Sequence, residues 1–245
     1  MNDIDIIFHL ASSTVPSTSN LDPLLDVNAN LVASLNILNM AVKAKIKKII
    51  YFSSGGAVYG SQNGLINENH DLKPISSYGI IKSTIEKYFT LYSELYDINT
   101  IILRPSNPYG PRQGNFNTQG VISTFLKNIF NKENLTVFGN GEALKDYIYI
   151  DDLAFLSYEV AIKEKSGIFN IGTGVGTSVN ELIIIISETT NVSPNVNYIE
   201  SKNYDVPNFI LDINKVKNII NDFNYTSLHI GIKSTWSWIN QISNK

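Results

Sequence analysis

The strongest constraint on the fold is an alternation of short apolar runs with longer stretches of helical periodicity. Residues 5–10 (DIIFHL), 48–52 (KIIYF) and 100–103 (TIIL) read as strands buried on both faces, the pattern of a parallel sheet. Between them, residues 26–44 carry Leu31, Leu35, Leu38 and Val42 at helical spacing. A second helix is expected after Pro74, through Ile81, Ile85, Tyr88, Phe89 and Tyr92, and Pro105 and Pro108 stop the third strand. Strand–helix–strand–helix–strand predicts an α/β fold with helices on the faces of a parallel sheet.

The second half is more mixed. Residues 121–129 read as a helix, 135–138 as a strand closed by Gly139-Asn140-Gly141, 147–150 as a strand and 151–162 as a helix led by two acids. A strand over 168–171 precedes a Ser178-to-Glu181 capping box and the helix 182–189. Short strands near 197–199 and 209–211 and helices near 215–221 and 231–241 complete the reading.

Several classes of function drop out on composition. The chain has 245 residues, a net charge of −3 and no cysteine, so disulfides, thiolate metal sites and a cysteine nucleophile are excluded. Apolar runs such as 183–186 fall far short of the ~18 residues a membrane span needs. No basic stripe suggests nucleic acid. The opening MNDIDIIFHL lacks the basic leader of a secretory signal, so the expectation is a cytoplasmic protein without membrane partners. His9, His70 and His229 have no partner at metal spacing, and Asp151-Asp152 read as helix caps, so no metal is expected. Trp236 and Trp238 are expected to pack the last helix.

One constellation carries chemistry. Tyr78 and Lys82 stand at i and i+4, on one face of the expected helix. An ammonium beside a phenol favours the phenolate and draws the tyrosine pKa from ~10 toward neutrality, where it can take a proton from an alcohol. Alone, the pair also fits a half-buried tyrosine with an exposed lysine. Its context is more specific. SSGGAVYG at 53–60 and RPSNPYG at 104–110 follow two of the expected strands, at the carboxyl edge where ligands of open α/β sheets gather.

FHLAS (8–12), SSGGAVYG, SYGIIK (77–82), RPSNPYGPRQ (104–113) and LKDYIYIDDLA (144–154) occur in this order. Together they resemble the extended short-chain dehydrogenase/reductases, within them the NAD-dependent epimerase/dehydratase group, the UDP-glucose 4-epimerases being the closest pattern. The resemblance implies a Rossmann-like doubly wound parallel sheet with a small C-terminal α/β substrate-binding domain. Residues 1–112 would be a partial dinucleotide-binding domain. Residues 113–245 would mainly bind the nucleotide sugar, with some segments returning to the sheet. It implies NAD as cofactor, a nucleotide-sugar substrate, a homodimer formed through the two long helices, and a place in cell-surface polysaccharide or sugar metabolism.

Carried over by position, the resemblance makes Tyr78 the base for the sugar 4-hydroxyl and gives Lys82 the tuning of Tyr78 and the nicotinamide ribose. Leu10, Ala11, Ser12, Asn30, Ser53 and Pro105 join these two at the cofactor. Asn107, Val121, Phe138, Lys145, Lys202, Asp205 and Phe209 fall at substrate positions. Val121 and Phe138 would enclose a uracil ring, Lys145 and Lys202 would hold the diphosphate, and Phe209 would limit space beside the sugar 2-substituent.

Departures from the pattern shape the expectation. Gly55 stands where these epimerases place Ser or Thr, leaving the adjacent Ser54 as the catalytic hydroxyl; loss of that hydrogen bond would cost ~10²-fold. Lysines at the two diphosphate positions replace arginines and lose the bidentate fork. Ala33 and Ser34 are mild changes from the usual Gly and Thr. No G-x-x-G-x-x-G precedes Gly55, and Gly172-Thr-Gly174-Val-Gly176 reads as a strand-to-helix turn rather than a phosphate cradle. The pattern is thus N-terminally truncated, the 5–10 strand becomes an apolar sheet edge, and weak or no NAD binding by this polypeptide alone is expected. The alternatives are a non-catalytic remnant or incomplete subunit that keeps sugar-nucleotide binding, or a nucleotide-sugar reductase or dehydratase. A dehydratase would need Thr-Asp-Glu where Gly55-Gly56-Ala57 stand.

Overall fold

Ile49 and Tyr51 point to one side of their strand and Ile50 to the other, and this alternation divides the core in two. The computed structural model describes residues 4–113, 120–200 and 208–243. The first half runs β1 (Ile6–His9), α1 (Pro16–Ser19), α2 (Pro23–Asp26), a π-helical turn over Val27–Val32, α3 (Ala33–Lys43) and β2 (Lys48–Phe52). It continues with α4 (Gly55–Val58), α5 (Ser77–Tyr96) and β3 (Asn99–Pro105). The second half runs β4 (Asn107–Tyr109), α6 (Val121–Phe130), β5 (Leu135–Phe138), β6 (Leu144–Tyr149), α7 (Ile150–Lys163), β7 (Gly167–Ile171) and β8 (Gly176–Ser178). It ends with α8 (Val179–Thr190), β9 (Val196–Ile199), α9 (Asn214–Lys217) and α10 (Leu228–Ser243).

The main sheet is parallel in the order β1-β2-β3-β7, as the alternation of runs and helices predicts. On one face Ile49, Tyr51 and Ile102 pack against Leu38 and Ala41 of α3 and Ile81, Ile85 and Phe89 of α5. On the other, Ile50, Ile101 and Leu103 meet Leu153, Leu156 and Val160 of α7 with Val216 and Ile220. Burial of each such side chain contributes roughly 1.5–3 kcal/mol. Among the described residues β1 pairs with β2 alone and forms the sheet edge, with Ile4, Phe8 and Leu10 exposed, so the expectation of full burial at 5–10 fails and that of an apolar edge holds.

Smaller sheets, β4-β6-β8 and parallel β5-β9, build the second half around α6, α8 and α10, where Trp236 and Trp238 pack as expected. The capping box forms, with Ser178 and Glu181 exchanging hydrogen bonds at the start of α8. Asp151 and Asp152 lie in the first turn of α7 rather than at its cap, and Asp152 accepts from the Thr226 amide (2.8 Å) and hydroxyl (2.9 Å) instead. Residues 209–211 make single bridges to Lys145 and Ile66 rather than a strand. The expected helix over 26–44 is broken by the π-helical turn at its start. Among the described residues no helix is long and apolar enough to cross a membrane.

Candidate active site

α5 begins where Ser76 turns its hydroxyl back to accept from the Gly79 amide (3.2 Å), two residues after the helix-restricting Pro74. Tyr78 and Lys82 lie on the first turns that follow. A Cβ on Gly79 would meet the Ala57 carbonyl oxygen at 2.4 Å and Pro74 Cβ at 2.9 Å, so only glycine lets α5 come this close to α4. That approach sets Tyr78 near Ser54, whose hydroxyl favours the ionised form of the phenol. Lys82 is buried at 6% exposure, donates to the Phe52 carbonyl (2.8 Å), and sits 5.5 Å from the Tyr78 ring centre.

Burial pushes the Tyr78 phenol up to about 12 and the Lys82 ammonium down to about 8. The expectation that Lys82 draws Tyr78 toward neutrality is therefore not met in the chain by itself. Desolvation penalises both charged forms; on Tyr78 it outweighs the help of the Ser54 hydroxyl and is reinforced by Asp26, and on Lys82 it outweighs the support of Glu86 and Asp26. At neutral pH the phenol keeps its proton and acts as a hydrogen-bond or proton donor.

Tyr78, Lys82 and Ser54 open onto a cavity of about 930 Å³ between the carboxyl edge of the main sheet and the second half of the chain. Leu10, Ser12, Ser53 and Pro105 line its sheet side. Asn107, Val121, Phe138, Lys145 and Phe209 line the side contributed by the second half. Ala11 borders a small void behind Tyr78 instead, shared with Asn30. Asn30 is buried behind the wall: its carbonyl oxygen accepts from the Ser13 amide (2.9 Å) and its amide donates to Asp26 (2.8 Å). Asn107 donates to the Asp146 carbonyl (2.8 Å) from the cavity wall. Lys202 and Asp205 lie outside the described residues.

The structure accounts for Gly55. A Cβ there would meet the Phe209 ring at 3.0 Å and the Pro105 carbonyl oxygen at 3.1 Å. Phe209, 2% exposed, fills the space that a side chain at 55 would take, and the hydroxyl that faces Tyr78 comes from Ser54. The Gly172–Gly176 turn is likewise accounted for, since the Thr173 and Gly174 amides donate to the buried Asp146 carboxylate (3.0 and 3.1 Å). Its donors hold an internal anion, as the reading of a structural turn requires.

Sequence reasoning missed the groups that hold this edge in place. Glu86 and Arg104, each 3% exposed, form an ion pair with an N–O distance of 2.6 Å. Ser53 donates to Glu86, and Arg104 donates to the Tyr59 hydroxyl (2.8 Å), which donates to Asn170 (2.8 Å). A signal existed: Tyr78, Lys82 and Glu86 repeat at i, i+4 and i+8 on one helix face.

The residues present fit the nicotinamide end of a dinucleotide. The Lys82 ammonium has three hydrogens, of which Phe52 takes one, and Ser106 Oγ lies buried on the cavity wall without a hydrogen-bond partner among the described residues.

Residues 1–172 match the family model described as the NAD dependent epimerase/dehydratase family. A Methanocaldococcus jannaschii protein, whose name assigns it provisionally to UDP-glucose 4-epimerase, is 38% identical over 218 residues, 89% of this chain and 71% of that protein. The UDP-glucose 4-epimerase of Mycolicibacterium smegmatis is 33% identical over 180 residues, 73% of this chain and 58% of that enzyme. Among solved structures, a Thermotoga maritima UDP-glucose 4-epimerase with UDP-glucose superposes with a TM-score of 0.93 at 33% identity, covering 98% of this chain and 78% of that one.

Proposed function

We infer the chemistry of the cavity from one premise: the chain belongs to the NAD dependent epimerase/dehydratase family. It is an NAD-dependent nucleotide-sugar epimerase by that membership, and we propose that it inverts C4 of a UDP-hexose. The observation that supports this most is the Tyr78 phenol, beside Ser54 and flanked by Lys82, on the wall of a cavity large enough for a nucleotide sugar. Relatives and neighbours named for UDP-glucose 4-epimerase support the substrate class.

In this reading Tyr78 moves the proton of the C4 oxygen, Ser54 orients that oxygen, and Lys82, with Leu10, Ser12, Ser53 and Pro105, holds the nicotinamide end of the cofactor, while Ala11 backs this wall from the void behind Tyr78. When bound, NAD would supply a hydride acceptor for C4. In the chain by itself Tyr78 is protonated, which suits the half-reaction in which a 4-keto oxygen receives a proton. Asn30 acts one step back, by holding the Ser13 loop. Asn107, Val121, Phe138, Lys145 and Phe209 contact the nucleotide sugar from the other wall. Phe209 limits the room beside the sugar 2-substituent, so plain hexoses are favoured over N-acetylated ones. The same reading makes the chain a cytoplasmic homodimer in polysaccharide or sugar metabolism, joined through α3 and α5, whose outer faces expose Met40, Leu91 and Leu95.

The test is interconversion of UDP-glucose and UDP-galactose with saturating NAD, followed by the anomeric proton signals, for the wild type and Tyr78→Phe. The expected result is interconversion that Tyr78→Phe lowers at least ~10²-fold. In a parallel reaction supplied with a 4-keto nucleotide sugar and reduced cofactor, stoichiometric oxidation of that cofactor would instead indicate a reductase, the activity for which an Escherichia coli relative, dTDP-4-dehydro-6-deoxyglucose reductase, is named. Replacing Phe209 with Ala is expected to raise the turnover of UDP-N-acetylglucosamine relative to UDP-glucose; an unchanged ratio would remove Phe209 from specificity.

A further inference from the structure

Asp26 is a buried carboxylate that the proposed chemistry does not use. It is 0% exposed, at the last residue of α2 before the π-helical turn. Three donors converge on it: the Thr14 hydroxyl (2.7 Å) and the Asn30 amide (2.8 Å) on one oxygen, and the Ser77 hydroxyl (2.7 Å) on the other. Each of the three gives a hydrogen and takes none from it, the arrangement that suits an ionised, acceptor-only carboxylate. A charge this deeply buried is costly unless it is hydrogen-bonded and opposed by a cation.

Two features tie Asp26 to the catalytic helix. The first is mechanical. Ser77 opens α5, one residue before Tyr78, and the same turn is pinned by two further bonds. The Ser77 amide donates to the Asn20 side chain (2.8 Å), and the Tyr78 amide to the Ser19 hydroxyl (3.0 Å). The segment of α1 and α2 thus grips the N-terminal turn of α5 through side chains, with Asp26 as its charged member. The second feature is electrostatic. Asp26, Tyr78 and Lys82 border one internal void of about 10 Å³, together with Tyr51, whose hydroxyl has no partner among the described residues.

We propose that Asp26 is the positioning residue of the Tyr78–Lys82 pair: its carboxylate anchors the first turn of α5 and provides the buried negative charge that faces the Lys82 ammonium. The proposal rests on the reading of Tyr78 and Lys82 as the reacting pair, but its physical content holds for the chain with no ligand bound. Lys82 is faced by Glu86 on its own helix, Asp26 from α2, Tyr51 from β2 and His9 from β1, with Tyr78 one turn away. Both carboxylates favour its charged form against desolvation. Glu86 is committed to Arg104 and Ser53, whereas Asp26 is opposed by no arginine or other lysine among the described residues that border the void. The same negative charge opposes ionisation of Tyr78. Its removal should therefore make both groups more acidic.

The test is a titration of the chain by itself, labelled at lysine Cε and tyrosine Cζ with ¹³C, the Lys82 and Tyr78 signals being assigned with Lys82→Arg and Tyr78→Phe. In the wild type Lys82 should titrate near pH 8. In Asp26→Asn its midpoint should fall by at least ~1 unit, with the Tyr78 midpoint moving down as well, and Asp26→Glu should restore most of the shift. A loss of packing alone would expose both groups and send Lys82 up, toward 10.5. If Asp26→Asn does not fold, Asp26→Ser, which leaves room for water to accept the same hydrogens, carries the same expectation. Midpoints that stay within ~0.2 unit in a folded neutral variant would overturn the proposal. A shifted midpoint in a chain that fails to interconvert UDP-hexoses would leave the proposal standing and count against the epimerase reading.

Discussion

Replacing Glu86 with Gln removes the charge that compensates Arg104 while keeping nearly the same shape. The carboxylate accepts from Arg104 Nε at 3.1 and 3.2 Å, from the terminal nitrogen at 2.6 Å, and from Ser53 Oγ. A glutamine can offer one oxygen to these donors and turns two hydrogens toward a guanidinium. Both residues are 3% exposed, so no water can take over. What remains for Arg104 is the Tyr59 hydroxyl and, at 3.3 Å, the Glu68 carbonyl. Breaking a buried pair by removing one partner costs about 3–5 kcal/mol. At ~2–4 °C per kcal/mol for a chain of this size, the melting temperature should drop by roughly 6–20 °C. Urea titration followed by circular dichroism measures the loss, and Glu86→Gln/Arg104→Met provides the control. With both charges gone the double variant should be more stable than Glu86→Gln alone, because the orphaned guanidinium is the main cost. A loss below ~1 kcal/mol in the single variant, or strictly additive effects in the double, would refute a buried, mutually dependent pair.

Acid should weaken the fold through His9. Its ring is 5% exposed and hydrogen-bonds Ser34 at 2.8 Å; because the Ser34 hydrogen goes to the Asn30 backbone carbonyl, the ring Nε2 is the donor. Burial first and Lys82 second lower its pKa from 6.5 to about 4. The unfolded chain therefore binds more protons than the folded one between these values, and up to about 3 kcal/mol of stability is lost as the pH falls from 6.5 to 4. Equilibrium unfolding across that range should show the slope, and His9→Gln should flatten it; parallel curves would contradict the assignment. Gly55→Ala should cost about 1–3 kcal/mol, since its methyl meets Phe209 and the Pro105 carbonyl oxygen, and Phe209→Leu should recover part of it. Equal losses in both Phe209 backgrounds would show that the ring does not set the residue at 55.

Much of this architecture is legible in the chain because periodicity and sheet geometry are local. The run KIIYF forms β2 with the bounds read from sequence, and the Ser178–Glu181 spacing forms its capping box, because both depend on neighbours within a few residues. Tyr78 and Lys82 come together for the same reason. What was illegible depends on partners distant along the chain. Asp26 reads as an ordinary first-turn acid until Ser77, 51 residues on, donates to it. Asp146 stands just ahead of the strand read over 147–150 and shows no role until the Thr173 turn wraps around it. The direction of the Tyr78 shift was misjudged because a two-residue motif shows the attraction of the charges and conceals their desolvation. Gly55 looked like a defect in a motif, and only the position of Phe209, 154 residues away in sequence, shows why a side chain there does not fit.

The central claim is that Tyr78 and its neighbours serve an oxidation at C4 that is undone within the same turnover. The most direct measurement follows UDP-glucose carrying deuterium at C4 through reaction with the chain and saturating NAD in ordinary water. The result in keeping with the claim is UDP-galactose that retains the deuterium at C4, with no accumulation of reduced cofactor and with loss of reaction in Tyr78→Phe. Product in which the C4 deuterium has exchanged with solvent, or undiminished reaction in Tyr78→Phe, would contradict it.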